Sequence, residues 1–180
     1  VYNGEKFLKK SIDSVSNQTL KDIELICVDD GSSDNSLEVL NNLKEEYSFL
    51  KIFSQENQGS GKARNAGMKK ACGQYIAFLD ADDIFIDENS LEKMYEVASE
   101  NDANLVSANL QFVEKNYKLK ENPHYRLGDY KELTEYGFIS PEEYGIPYAF
   151  YKSIFKREFL IEHDIDFPDL IRGQDPIFLA

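Results

Sequence analysis

The chain has 180 residues, 33 Asp and Glu against 20 Lys and Arg, and a formal net charge of −13. That balance excludes a general affinity for nucleic acid or an anionic membrane surface, so an anionic ligand would need a local counter-charge. With 42% hydrophobic and 29% charged residues, the composition suits one globular domain with a real core.

In chain order, Leu8, Ile12 and Val15 fall on one face of a helix expected over 5–16. IELICVDD follows, and Ile23 to Val28 form the near-continuous apolar run of a strand buried on both faces. A helix is expected over 36–47, with Leu37, Leu40, Leu43 and Tyr47 in register and Asn35 and Glu38 as its capping pair. A short strand at 51–54 leads through NQGSG into a helix over 62–72. QYIAFLD then reads as a second strand buried on both faces. A helix over 90–101, with Asn89 and Glu92 as its capping pair, precedes a strand at 104–113. This alternation predicts an α/β fold, a Rossmann-like doubly wound and mostly parallel sheet flanked by helices.

From 115 to 147 the pattern breaks down, except that SPEEYGIP reads as one helical turn, and YAFYKSIFKREFLIEH reads as a strand running into a helix. The aromatics Tyr144, Tyr148, Phe150 and Tyr151 read first as core and second as an acceptor cleft. His124 and His163 have no partner pattern and read as surface or packing residues. Cys27 and Cys72 lie in apolar patterns without metal or redox spacing, and read as buried small hydrophobes in a reducing compartment. No apolar run reaches the ~18 residues of a membrane span. VYNGEKF passes at once into a helical pattern and PIFLA stops within one, so a strand is expected before Val1 and the chain reads as part of a larger domain.

In open parallel sheets, ligands bind at the C-terminal strand ends. Two acidic clusters fall there: Asp29-Asp30, and Asp80, Asp82 and Asp83 in LDADD. The first also has a plain reading as an Asp-Gly turn before a capped helix. LDADD is harder to explain as a turn, because three carboxylates in four positions repel one another unless donors, water or a cation intervene. The spacing is not that of an EF-hand. Bunched carboxylates with open coordination positions suit Mg²⁺ or Mn²⁺ completed by a diphosphate. Between the clusters, Lys62 and Arg64 open a helix slimmed by Ala63, Ala66 and Gly67, where an anion is favoured. Its GSG matches neither a dinucleotide fingerprint nor a P-loop.

Taken together, VYN-x-E, Gln18-Thr19, VDDGSSD, ARNAG, GQYIAFLDADD and a late GQD resemble the family 2 glycosyltransferases, inverting enzymes of the GT-A fold. The resemblance implies transfer of a sugar from a nucleotide diphosphate donor, commonly UDP-linked, to an acceptor hydroxyl. It implies that Tyr2, Asn3 and Glu5 border the nucleotide, Asp30 meets the base and Arg64 secures the nucleotide. Asp80, Asp82 and Asp83 would form the DXD-type site for Mn²⁺ or Mg²⁺, with Asp82 also on the donor. Asp175 falls where the family keeps its catalytic base, after Gln174 where the family usually has Glu. Residues 1–113 would then form the nucleotide-sugar-binding half and 114–180 the acceptor-side half of one catalytic domain. The acceptor would be a saccharide or a lipid-linked one, in surface polysaccharide or glycoconjugate synthesis. The setting would be the cytoplasm or the inner face of a membrane, with any membrane contact made by segments outside this sequence. Two alternatives stand beside this reading: a module that binds a nucleotide sugar without turning it over, and a nucleotidyltransferase.

Overall fold

The computed structural model describes residues 1–109, 137–140 and 150–169. Helix α1 (Leu8–Ser16) follows a turn in which the Gly4 carbonyl accepts from the N–H groups of Phe7 and Leu8, so it starts three residues later than its sequence pattern. Leu8, Ile12 and Val15 are buried along it, as their spacing requires. Strand β1 (Leu25–Asp30) pairs in parallel with β2 (Leu50–Gln55), in register from Leu25 opposite Leu50 to Asp30 opposite Gln55. Asp30 N–H also donates to the Val1 carbonyl, and the Val1 nitrogen donates to Val28, so residue 1 lies along β1 like a strand rung. Helix α2 (Ser36–Glu46) covers this pair. Its Leu40 and Leu43 join Leu8, Ile12, Cys27 and Leu50 in one core cluster, whereas Leu37, expected in that register, is exposed.

Helix α3 (Ser60–Met68) packs on β1, where Gly67 faces Val28. Strand β3 (Tyr75–Ala77) is shorter than expected and not buried on both faces. Ile76 is buried and Ala77 exposed, because the chain leaves the sheet there to build the acidic loop. Helix α4 (Ser90–Glu100) leads to β4 (Leu105–Ser107). A 3₁₀ turn (Phe150–Lys152) opens β5 (Ser153–Lys156), and α5 (Arg157–Glu162) closes the described chain. Strand β5 pairs antiparallel with both β3 and β4, so these two run parallel to one another with β5 between them. Its Ile154 and Phe155 carry the 150–169 stretch into the core shared with Ile76, Phe78 and Leu91.

Neither expected capping pair forms. At α2 the work falls to Asp34, whose Oδ1 accepts from the N–H and hydroxyl of Ser36, while Asn35 gives its donors to Glu5. At α4 the buried Gln18 does it from α1's end: Oε1 accepts from Leu91 N–H at 3.0 Å, and Nε2 donates to the Asp87 carbonyl at 2.9 Å. Glu92 accepts from Thr19 Oγ1 instead of closing a box. A long-range partner takes over at α4, whereas at α2 the cap comes from Asp34, two residues before Ser36. Cys27 is buried, but Cys72 is exposed, in the turn after α3 where its N–H donates to Glu24. The SPEEYGIP turn beyond Ser140, the end of the 104–113 strand, His124, Tyr144, Tyr148 and Asp175 lie outside the described residues.

Candidate active site

The segment before α1 is tied to the loop after β1. Asn3 adopts φ 50°, a left-handed conformation that Asn tolerates better than most residues. In that pose its Oδ1 accepts from Ser33 N–H at 2.8 Å and Asp34 N–H at 3.3 Å, and its own N–H donates to Ser32 Oγ. Gly4 N–H donates to Ser36 Oγ, and Glu5 Oε2 accepts from the N–H and side-chain amide of Asn35. Asn3 and Glu5 are therefore brackets of this loop, while Tyr2 stands 55% exposed.

Asp30 ends β1 with 3% exposure. A buried carboxylate needs donors, and here they come from the end of β2 and the loop after it. Oδ1 accepts from Gln55 Nε2 at 2.8 Å and Gln58 N–H at 2.9 Å, and Oδ2 accepts from Gly59 N–H at 2.8 Å. Gly31 makes this approach possible. It has φ +69°, and a Cβ there would lie 2.9 Å from the Asn57 nitrogen. Asp29 is buried alongside, with Ser32 N–H 3.4 Å from its Oδ2, and it offers no open oxygen to the surface.

The acidic loop is anchored by its one apolar member. Ala81 packs against the cluster of Leu8, Ile12, Cys27 and Leu40, and a methyl placed on Gly4 would lie 3.3 Å from it. Asp83 N–H closes the turn onto the Asp80 carbonyl at 3.0 Å. Phe85 N–H then donates to Ser14 Oγ, and Thr19 N–H to the Glu88 carbonyl, fastening the loop's exit to α1. With Ala81 inward, Asp82 and Asp83 stand at the surface. Surrounding protein, then the charges of Asp80 and Asp82, push the Asp83 carboxyl up to about 6 although it keeps contact with solvent. Among the described residues no three acidic, His or Cys side chains converge into a ready-made metal cluster. Uncompensated carboxylate oxygens at Asp82 and Asp83 nonetheless fit a hard cation that takes few protein ligands and keeps positions for phosphate.

Asp80 is already partnered. Arg64 Nη2 on α3 donates to its Oδ1 at 2.6 Å, with the two side chains 17% and 39% exposed. The same guanidinium lies 4.5 Å from the Phe150 ring centroid and 5.3 Å from that of Phe167. The next residue, Asn65, donates to the Phe167 carbonyl and accepts from Phe167 N–H, both at 2.8 Å. Lys62 reaches Asp169 at 3.5 Å on the exposed side. The structure therefore gathers Asn3, Glu5, Asp30, Arg64, Asp80, Asp82 and Asp83 at the β1, β2 and β3 ends and their loops. Asn65, Phe150 and Phe167 escaped the sequence reading as parts of this neighbourhood. The available signal was a lone Asn, a poor helix former, in the middle of ARNAG. His163 sits at the surface, its Nδ1 3.0 Å from the Phe159 carbonyl.

A parallel β1–β2 pair with an acidic loop at the β3 end defines a domain of the GT-A type. Comparison with known proteins agrees: 99% of the chain superposes on 51% of a crystallised chain of Staphylococcus aureus TarS in complex with UDP, at TM-score 0.77 and 24% identity. It likewise superposes on 48% of a Pyrobaculum calidifontis mannosyltransferase solved with GDP-Man and Mn²⁺, at TM-score 0.71 and 17% identity. The chain belongs to glycosyl transferase family 2, whose profile matches residues 1–160. Among curated relatives, a Borreliella burgdorferi cholesterol galactosyltransferase is 32% identical over 91% of this chain and 48% of its own length. A Bacillus spizizenii poly(ribitol-phosphate) beta-glucosyltransferase is 32% identical over 99% of this chain and 27% of its own. The chain thus spans less than half the length of these relatives. Among the described residues, no helix is long and apolar enough to cross a membrane.

Proposed function

We propose that the protein transfers a sugar, with inversion, from a nucleotide diphosphate donor of the UDP-sugar class to an acceptor hydroxyl in surface polysaccharide or glycoconjugate synthesis. The observation that carries this is the Arg64–Asp80 pair standing beside the surface carboxylates of Asp82 and Asp83, on a loop packed against the Asn3–Glu5 bracket. Arg64 brings the positive charge that a diphosphate requires in a chain of net charge −13. Neighbouring structures support a nucleotide diphosphate donor, since those proteins were solved in complex with UDP, UDP-GlcNAc or GDP-Man.

Asp82 and Asp83 would hold Mn²⁺ or Mg²⁺, which supplies Lewis-acid stabilisation of charge on a departing diphosphate. The chain's own residues do the rest. Asn3 and Glu5 fix the loop edge beside Tyr2 where the base would lie, and Asp30 holds the 55–59 loop in place by three hydrogen bonds. Asp175 would accept the proton of the attacking hydroxyl. Residues 1–113 would serve the donor and 114–180 the acceptor. The test is a screen of nucleotide sugars for thermal stabilisation, with and without Mn²⁺. Stabilisation by a UDP-sugar that needs Mn²⁺ is expected. Stabilisation by none of them overturns the reading.

A further inference from the structure

We propose that Phe167, together with Phe150, is a positioning residue for the donor site: the two rings seat the Arg64 guanidinium against Asp80. This rests on the nucleotide diphosphate reading above and assigns a donor-side task to residues that lie beyond 113. A guanidinium is weakly hydrated and planar, so an aromatic face can replace part of its water shell while its N–H groups stay directed at a carboxylate. Arg64 meets both conditions. It is 17% exposed, with ring centroids at 4.5 and 5.3 Å and the Asp80 oxygen at 2.6 Å.

The placement of Phe167 is fixed from the helix turn that carries Arg64. Asn65 binds the N–H and carbonyl of Phe167 at 2.8 Å each, across 102 residues, and both residues are buried. The other end of the ion pair rests on the same aromatic group. Phe78, two residues before Asp80, meets Phe167 edge-on at 5.2 Å and Phe150 at 5.4 Å. Both partners of the pair are thus registered to one set of rings. Loss of a ring would free the guanidinium to leave Asp80, restoring an uncovered negative charge where a diphosphate must dock.

A double-mutant cycle on the affinity for UDP in the presence of Mn²⁺ tests this. Phe167→Met keeps most of the apolar volume and removes the π face. It should weaken UDP binding roughly three- to tenfold in the wild-type background, and have no further effect on Arg64→Gln. Phe150→Leu should behave in the same way and serves if Phe167→Met does not fold. Ala98→Gly, near the C-terminal end of α4 where the Tyr75 hydroxyl meets its carbonyl, should lower the melting temperature and leave UDP affinity unchanged. Equal losses from Phe167→Met in both backgrounds, or a comparable loss from Ala98→Gly, overturn the positioning role while leaving the donor reading intact. A wild-type chain that binds no UDP overturns both.

Discussion

Replacing Gly31 and Gly59 by Ala separates two costs that positive-φ glycines usually present together. Gly31 has φ +69° and Gly59 φ +92°, so each imposes on Ala a conformation that L residues rarely adopt. That strain costs about 1–2 kcal/mol at Gly31 and about 1–3 kcal/mol at Gly59, whose ψ of 160° puts it in a region essentially reserved for glycine. Only Gly31 adds a steric term, because its new Cβ would stand 2.9 Å from the Asn57 backbone nitrogen, whereas nothing lies within 4 Å at Gly59. Backbone cannot rotate aside as a side chain can, so overpacking adds about 1–3 kcal/mol. Urea unfolding should therefore place Gly31→Ala at about 2–5 kcal/mol below wild type and Gly59→Ala at about 1–3. The clash also drives the 55–59 loop away from Asp30, whose oxygens hold Gln58 and Gly59, so UDP affinity should fall in Gly31→Ala as well. A loss in Gly31→Ala no larger than its backbone strain alone, about 1–2 kcal/mol, would refute the close approach of the two loops.

Asp83 gives a pH signature in metal-free protein. Its carboxyl is raised from the usual 3.8 to about 6, so its protonated form is the one the fold favours, and stability is lost as pH rises from about 4 through about 6. After discounting for solvent screening, Asp83→Asn should be more stable than wild type by on the order of 1 kcal/mol at pH 7, and equal to it below pH 4. A variant no more stable at pH 7 would contradict the crowding of charge. For Asp175→Asn, donor affinity should be retained and turnover should fall by on the order of 10²-fold or more. Retained turnover would move the base elsewhere, with Glu142 or Glu143 next. Burial pushes the Cys27 thiol up to about 11, whereas Cys72 is exposed. A thiol reagent at neutral pH should therefore titrate Cys72 quickly, and Cys27 only after denaturation. Equal rates in the native protein would overturn that burial.

Helices α1, α2 and α4 were legible because each buries a periodic apolar face, β1 because its apolar run is near-continuous, and LDADD because its charge density is unusual for a turn. What local pattern hid are contacts made across the chain. Gln18 and Glu5 reach the two helix starts from 73 and 30 residues away, and no local rule ranks such partners above one three residues away, while Asp34 caps Ser36 one position ahead of the expected Asn35. Strand β5 enters between β3 and β4 from the far end of the sequence, so its position between co-directional strands leaves no trace in alternation. The Arg64–Asp80 pair likewise escaped, since each residue alone suggested a direct ligand contact. Cys72 lies in an apolar-looking stretch, yet falls in the turn where α3 has already ended.

Titration calorimetry of UDP against wild type and Asp82→Ala, first with Mn²⁺ and then with excess chelator, puts the acidic loop itself to the test. Wild type should bind UDP with Mn²⁺ and lose at least tenfold in affinity, about 1.4 kcal/mol, when the chelator is added. Asp82→Ala, still folded, should bind weakly in both conditions. Equal UDP affinity with and without Mn²⁺, or undiminished binding by Asp82→Ala, would contradict a donor site built on Asp80, Asp82 and Asp83.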